Sequence, residues 1–105
     1  KVIIPTLPTG YFHVYQLYTI RVDANIRNKL QSALAEEGVM TKVYFFPAHL
    51  TEFYRASFGH HEEELPVTER ITMEVLSLPL YVSLTEQEIG YIVRSIDETM
   101  EEIGV

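Results

Sequence analysis

Between residues 26 and 34, Ile26, Leu30, Ala33 and Leu34 stand at i, i+4, i+7 and i+8, which places them on one face of a helix. Asp23 or Asn25 can cap its start, and Gly38 supplies the stop. A longer stripe, Ile89, Ile92, Val93, Ile96, Met100 and Ile103, follows Thr85-Glu86-Gln87-Glu88, a capping box that announces the last helix. A further helix opens at Pro66, where the first turn tolerates a missing N–H, and takes Val67, Ile71, Val75 and Leu76 as its buried stripe. Leu50, Phe53, Tyr54 and Phe58 give one or two more turns, with Thr51 available to cap and Gly59 to end them.

The other apolar residues obey a different period. Residues 12–22, FHVYQLYTIRV, are β-branched and aromatic and read as a strand apolar on nearly both faces. Residues 39–46, VMTKVYFF, predict a second strand that ends before Pro47. Leu78-Pro79-Leu80-Tyr81 is a brief extended piece, because Pro79 denies it one ladder bond. Pro5, Pro8 and Gly10 make residues 1–11 a lead-in segment, which leaves 12–105 as the folded unit. The order β-α-β-α-α-β-α predicts an α+β fold, a two-layer arrangement in which helices cover a small sheet.

Charge narrows the partners. Eight basic and 15 acidic side chains among 105 residues give a net charge of −7, too few cations to neutralise a phosphate backbone, so neither nucleic acid nor membrane is an expected partner. The absence of Cys excludes disulfides and thiolate chemistry and fits a reducing compartment, with the cytoplasm as the expected location. No apolar run approaches the roughly 18 residues that span a bilayer, and no targeting signal is expected. A chain this short hides only about 60 to 70% of its unfolded surface. It is therefore expected to dimerise or to dock on another domain, as a homo-oligomer or part of one.

Candidate chemistry is sparse. His60-His61-Glu62-Glu63-Glu64 is the densest set of metal ligands, but its histidines are adjacent rather than four apart on a helix, and no metal site is expected. There is no G-x-S-x-G elbow, no G-x-G-x-x-G and no P-loop. His13 reads as a hydrogen-bonded structural group, and Arg70 with Glu74 as a surface pair. The segment from Lys42 to Leu50 is more unusual, since a strand ending at Pro47 delivers Tyr44, Phe45, Phe46 and His49 to one corner. Such a corner lines a pocket, or else Phe45 and Phe46 are core and His49 merely opens a helical turn.

Three stretches together resemble the C-terminal region of the DegT/DnrJ/StrS family, pyridoxal-phosphate-dependent aminotransferases that act on nucleotide-linked keto-sugars. They are HVYQLYTIRV at 13–22, GVMTKVYFFPAHL at 38–50 continuing to Tyr54, and LPVTER at 65–70 with LSLPLY at 76–81 and LTEQE at 84–88. The resemblance implies the small domain of a fold-type I aminotransferase, with the large domain and its Schiff-base lysine elsewhere. Neither Lys29 nor Lys42 lies in a segment similar to the family's lysine loop. No catalytic or cofactor-binding residue is therefore assigned here, and the chain alone is expected to be inactive and to bind no cofactor.

The resemblance also implies a role for the turn at Tyr44, Phe46 and His49, which would shape the sugar pocket. Many members carry a His near the Tyr44 position and one more residue before the Pro, and these departures favour His49 over Tyr44 as the sugar contact. The implied partners are the large domain, a second subunit, a nucleotide sugar and an amino-acid donor. Surface that the large domain covers should appear as exposed apolar residues, among them Tyr11, Phe12 and the aromatics near Phe45. Length and composition equally allow a different class, an autonomous regulatory module that binds a small molecule.

Overall fold

Strand β1, Tyr18–Arg21, and strand β2, Val75–Leu78, run antiparallel with Tyr18 opposite Leu78 and Arg21 opposite Val75. The computed structural model describes residues 1–104. On either side of this pair the sheet is continued by a single bridge, Ile3 to Arg21 and Lys42 to Ser77. Register places Ile20 opposite Leu76, both fully buried, and Thr19 opposite Ser77, whose hydroxyls share a 2.7 Å hydrogen bond. The alternation thus separates an apolar face from a polar pair.

Four α-helices accompany the sheet among the described residues: α1 at Ala24–Glu36, α2 at Glu52–Phe58, α3 at Pro66–Glu74 and α4 at Glu86–Ile103, with a 3-10 turn at Ala48–Leu50. The architecture is α+β, as expected. Asp23 caps α1 by accepting from Asn25 N–H at 2.8 Å, and Gly38, at φ +79°, reverses the chain after it. Leu30 and Leu34 from α1 meet Ile92, Ile96 and Met100 from α4, with Ile20, Val22, Val39 and Leu76 completing one core. At the far end of α1, the Tyr91 hydroxyl donates to the Glu37 carbonyl at 2.7 Å and ties α4 to it.

Several elements differ from the expectation. The strand foreseen at 12–22 is formed only at Tyr18–Arg21, because the residue after Leu78 in the partner strand is Pro79, which has no N–H, and Tyr15 adopts φ +51°. The strand foreseen at 39–46 shrinks to the Lys42 bridge. Beyond it the Phe45 carbonyl accepts from the Thr72 hydroxyl at 2.6 Å, so that backbone is tied to α3 instead of a ladder.

Helix α3 ends at Glu74, and Val75 and Leu76 of its supposed stripe lie in β2, where pairing with β1 overrides helical periodicity. Val67 from the same stripe is exposed. The extended piece placed at 78–81 accordingly begins three residues earlier. Of the last helix's stripe, Ile89 and Val93 stay exposed. Its capping box is half made: Thr85 accepts from Glu88 N–H at 3.1 Å, while the Glu88 carboxylate takes the Tyr81 hydroxyl. That bond holds the Tyr81 hydroxyl's pKa above the usual tyrosine value.

Candidate functional site

The corner from Val43 to Leu50 is built by restraint at both ends. Lys42 exchanges backbone bonds of 3.0 and 2.7 Å with Ser77, and the Thr72 hydroxyl holds the Phe45 carbonyl. Pro47 is buried, and its carbonyl accepts from Leu50 N–H at 3.0 Å to start the 3-10 turn. Thr51, expected as a cap for α2, turns its hydroxyl back to donate to the Ala48 carbonyl at 2.7 Å.

These restraints turn Phe46 outward. It is 65% exposed and lines an open cleft of about 1130 Å³ with Pro47, Leu50, Arg27, Glu69 and Met73. Phe45 is 70% exposed, so neither ring belongs to the core. Tyr44 is half-buried and lies on a separate hollow of about 280 Å³ beside Ile71 and Val75. His49 lies beneath the surface, 7% exposed, with Nε2 at 3.3 Å from Glu69 Oε2. Phe46 thus lines one cleft and Tyr44 another, while His49 lines neither and touches the first only through its contact with Glu69.

Glu69 is a hub that the sequence reading did not single out. Its Oε1 accepts from Glu63 N–H at 2.8 Å, and its Oε2 accepts from Leu65 N–H at 2.9 Å as well as lying against His49. The Glu63 amide foremost, then the Leu65 amide and His49, hold its carboxyl below the usual glutamate range. The available signal was an acidic residue in the first turn after Pro66, placed to reach back to the backbone ahead of the helix.

Arg27 was also missed. It is buried on α1, donates through Nε to Asn28 at 2.7 Å, and gives Nη1 to the carbonyls of Thr72 and Val75 at 3.0 Å each. A cation against the last carbonyls of α3 satisfies groups that the helix leaves unpaired. Arg21, rather than Arg70, takes Glu74, with Nη2 at 2.6 Å from Oε2. Glu52, Glu62, Glu63 and Glu69 outnumber Arg27 and Arg55 around the cleft and make its charge negative.

The remaining histidines serve local structure. His60 Nδ1 pairs with Glu64 at 2.9 Å, and that contact, followed by the His61 amide, holds the Glu64 carboxyl down. Among the described residues no three His, Asp or Glu side chains gather as a metal set. His13 Nδ1 accepts from Tyr15 N–H at 2.8 Å and its ring stacks on Tyr15. Tyr11 and Phe12 are exposed together with Phe45, as foreseen, and α2 adds a cluster of Phe53, Tyr54 and Phe58. No helix among the described residues is long and apolar enough to cross a membrane.

The model of the DegT/DnrJ/EryC1/StrS aminotransferase family matches residues 1–97. The chain belongs to this family. It is 41% identical over 98 residues to a pleiotropic regulatory protein of Geobacillus stearothermophilus, covering 92% of this chain and 26% of that one. It is 33% identical over 98 residues to UDP-N-acetyl-3-dehydro-alpha-D-glucosamine 3-aminotransferase of Acidithiobacillus ferrooxidans, covering 92% of this chain and 25% of that one. The crystal structure of NtdA from Bacillus subtilis, with bound cofactor PMP, superposes at a TM-score of 0.83 and 27% identity, over 95% of this chain and 23% of that one. The chain spans about a quarter of the length of the curated relatives it matches.

Proposed function

We propose that residues 12–105 form the small domain of a pyridoxal-phosphate-dependent aminotransferase acting on nucleotide-linked keto-sugars in the cytoplasm. In this reading the turn at Tyr44, Phe46 and His49 forms one wall of the sugar pocket. The large domain, a second subunit and an amino-acid donor complete the enzyme. Family membership supports the reaction class, and the outward-facing Phe46 on the cleft of about 1130 Å³ is the observation that carries the role of this chain. The negative charge around the cleft adds an orientation: the sugar end of the substrate, not its diphosphate, meets this wall.

The cofactor supplies an electron sink once an amine holds it. The residues present do not fit that task, because Lys1, Lys29 and Lys42 are all exposed and none lines the clefts at Phe46 and Tyr44. The contribution of this chain is accordingly to bind and orient, and alone it is inactive. Transamination of nucleotide keto-sugars by the full-length protein, with cofactor absorbance followed in parallel, tests the reading. A full-length protein that holds no cofactor and transfers no amine overturns it.

A further inference from the structure

His49 is buried, yet only one of its ring nitrogens is engaged inside the fold. Nε2 faces Glu69 at 3.3 Å, while Nδ1 has no hydrogen-bond partner among the described residues. Thr41 Oγ1 is the one fully enclosed side-chain polar atom there that lacks a partner, so Nδ1 keeps contact with solvent. The Glu69 carboxylate is placed independently of the ring, since the Glu63 and Leu65 amides grip it at 2.8 and 2.9 Å, closer than the imidazole does. An ionised carboxylate only accepts hydrogen bonds, so the proton of the neutral ring resides on Nε2. Nδ1 is left as a lone-pair acceptor that keeps a narrow contact with solvent.

We infer that Glu69 is a positioning residue that fixes the His49 tautomer presenting Nδ1 outward, so that this wall engages a ligand through an O–H donor. The inference rests on the proposed function only for the identity of that donor, a hydroxyl of the sugar. Backbone amides of the 63–65 loop set the carboxylate, the carboxylate sets the ring, and the ring offers an acceptor that rejects a ligand lacking the hydroxyl.

The test uses the full-length protein labelled with 15N at histidine. His49 is assigned by the loss of its signals in His49→Gln, where the amide nitrogen occupies the Nε2 place. The expected wild-type spectrum has a protonated Nε2 and a bare Nδ1. In Glu69→Gln one carbonyl oxygen faces three donors, both tautomers appear, and KM for the nucleotide keto-sugar rises about tenfold with kcat within about twofold.

A wild-type ring protonated on Nδ1 overturns the inference, and so do an unchanged tautomer and KM in Glu69→Gln. Should that variant lose its fold, the wild-type tautomer alone decides. A wild-type protein that transfers no amine defeats the proposed function instead, and the tautomer still rules on Glu69.

Discussion

Arg27 Nη1 donates to the Val75 carbonyl at 3.0 Å across 48 residues of sequence, joining the first helix to the point where α3 gives way to β2. The same nitrogen serves Thr72. Replacing it by Met would take this donor from both carbonyls, the Val75 one buried and the Thr72 one partly buried, at a cost of about 2 to 3 kcal/mol. Urea unfolding of Arg27→Met measures this, with Arg27→Lys falling between the two. A loss below about 0.5 kcal/mol, the level of an ordinary surface change, would show that the link is dispensable.

If the corner at Phe46 and His49 shapes the pocket, His49→Ala in the full-length protein lowers kcat/KM for the sugar substrate about tenfold and leaves the cofactor absorbance unchanged. Phe46→Ala should act mainly on KM, since an exposed ring contributes contact area rather than chemistry. Steady-state constants equal to wild type for both variants would remove the corner from the site.

Exposed rings have a second consequence. Phe12, at 88% exposure, joins Tyr11, Phe45 and the α2 aromatics in presenting apolar surface that water covers poorly. Light scattering on the 105-residue chain should show self-association that weakens in a Phe12→Ser, Phe45→Ser double variant. A monodisperse monomer at high concentration would count against the expectation.

The depressed carboxyls of Glu69 and Glu64 give stability a defined pH dependence. Each binds its proton less readily when folded than when unfolded. Their contribution is present above the ordinary glutamate pKa and is lost as acid drives the pH down through the lower folded value. Denaturation midpoints followed from about pH 6 to 3 should fall less steeply in Glu69→Gln than in wild type. Parallel curves would assign the acid sensitivity to other groups.

Helices α1 and α4 were legible because the main part of each apolar stripe agrees with a capping residue, Asp23 or Thr85, and Gly38 closes α1. Strand β1 was legible within the strand read at 12–22, but β2 was not, because Val75 and Leu76 fit a helical stripe as well as a strand, and only their antiparallel partners at Arg21 and Ile20 decide between them. Residues 12–17 and 43–46 have strand composition without a strand to pair with, a fact that no local pattern contains. The corner at Tyr44, Phe46 and His49 was visible as a cluster. Its division between two hollows depends on how Thr72 anchors the backbone, and the Glu69 contacts depend on a loop whose path the sequence leaves open.

The two strands are separated by more than fifty residues, yet among the described residues each is the other's only multi-residue partner. On the ribosome, β1 emerges long before the segment it must join. Helix α1, whose leucines rest on Leu76, likewise has no complete surface to settle on until then. Closing so long a loop is entropically costly, so these early segments consolidate late and together, once most of the chain has been made.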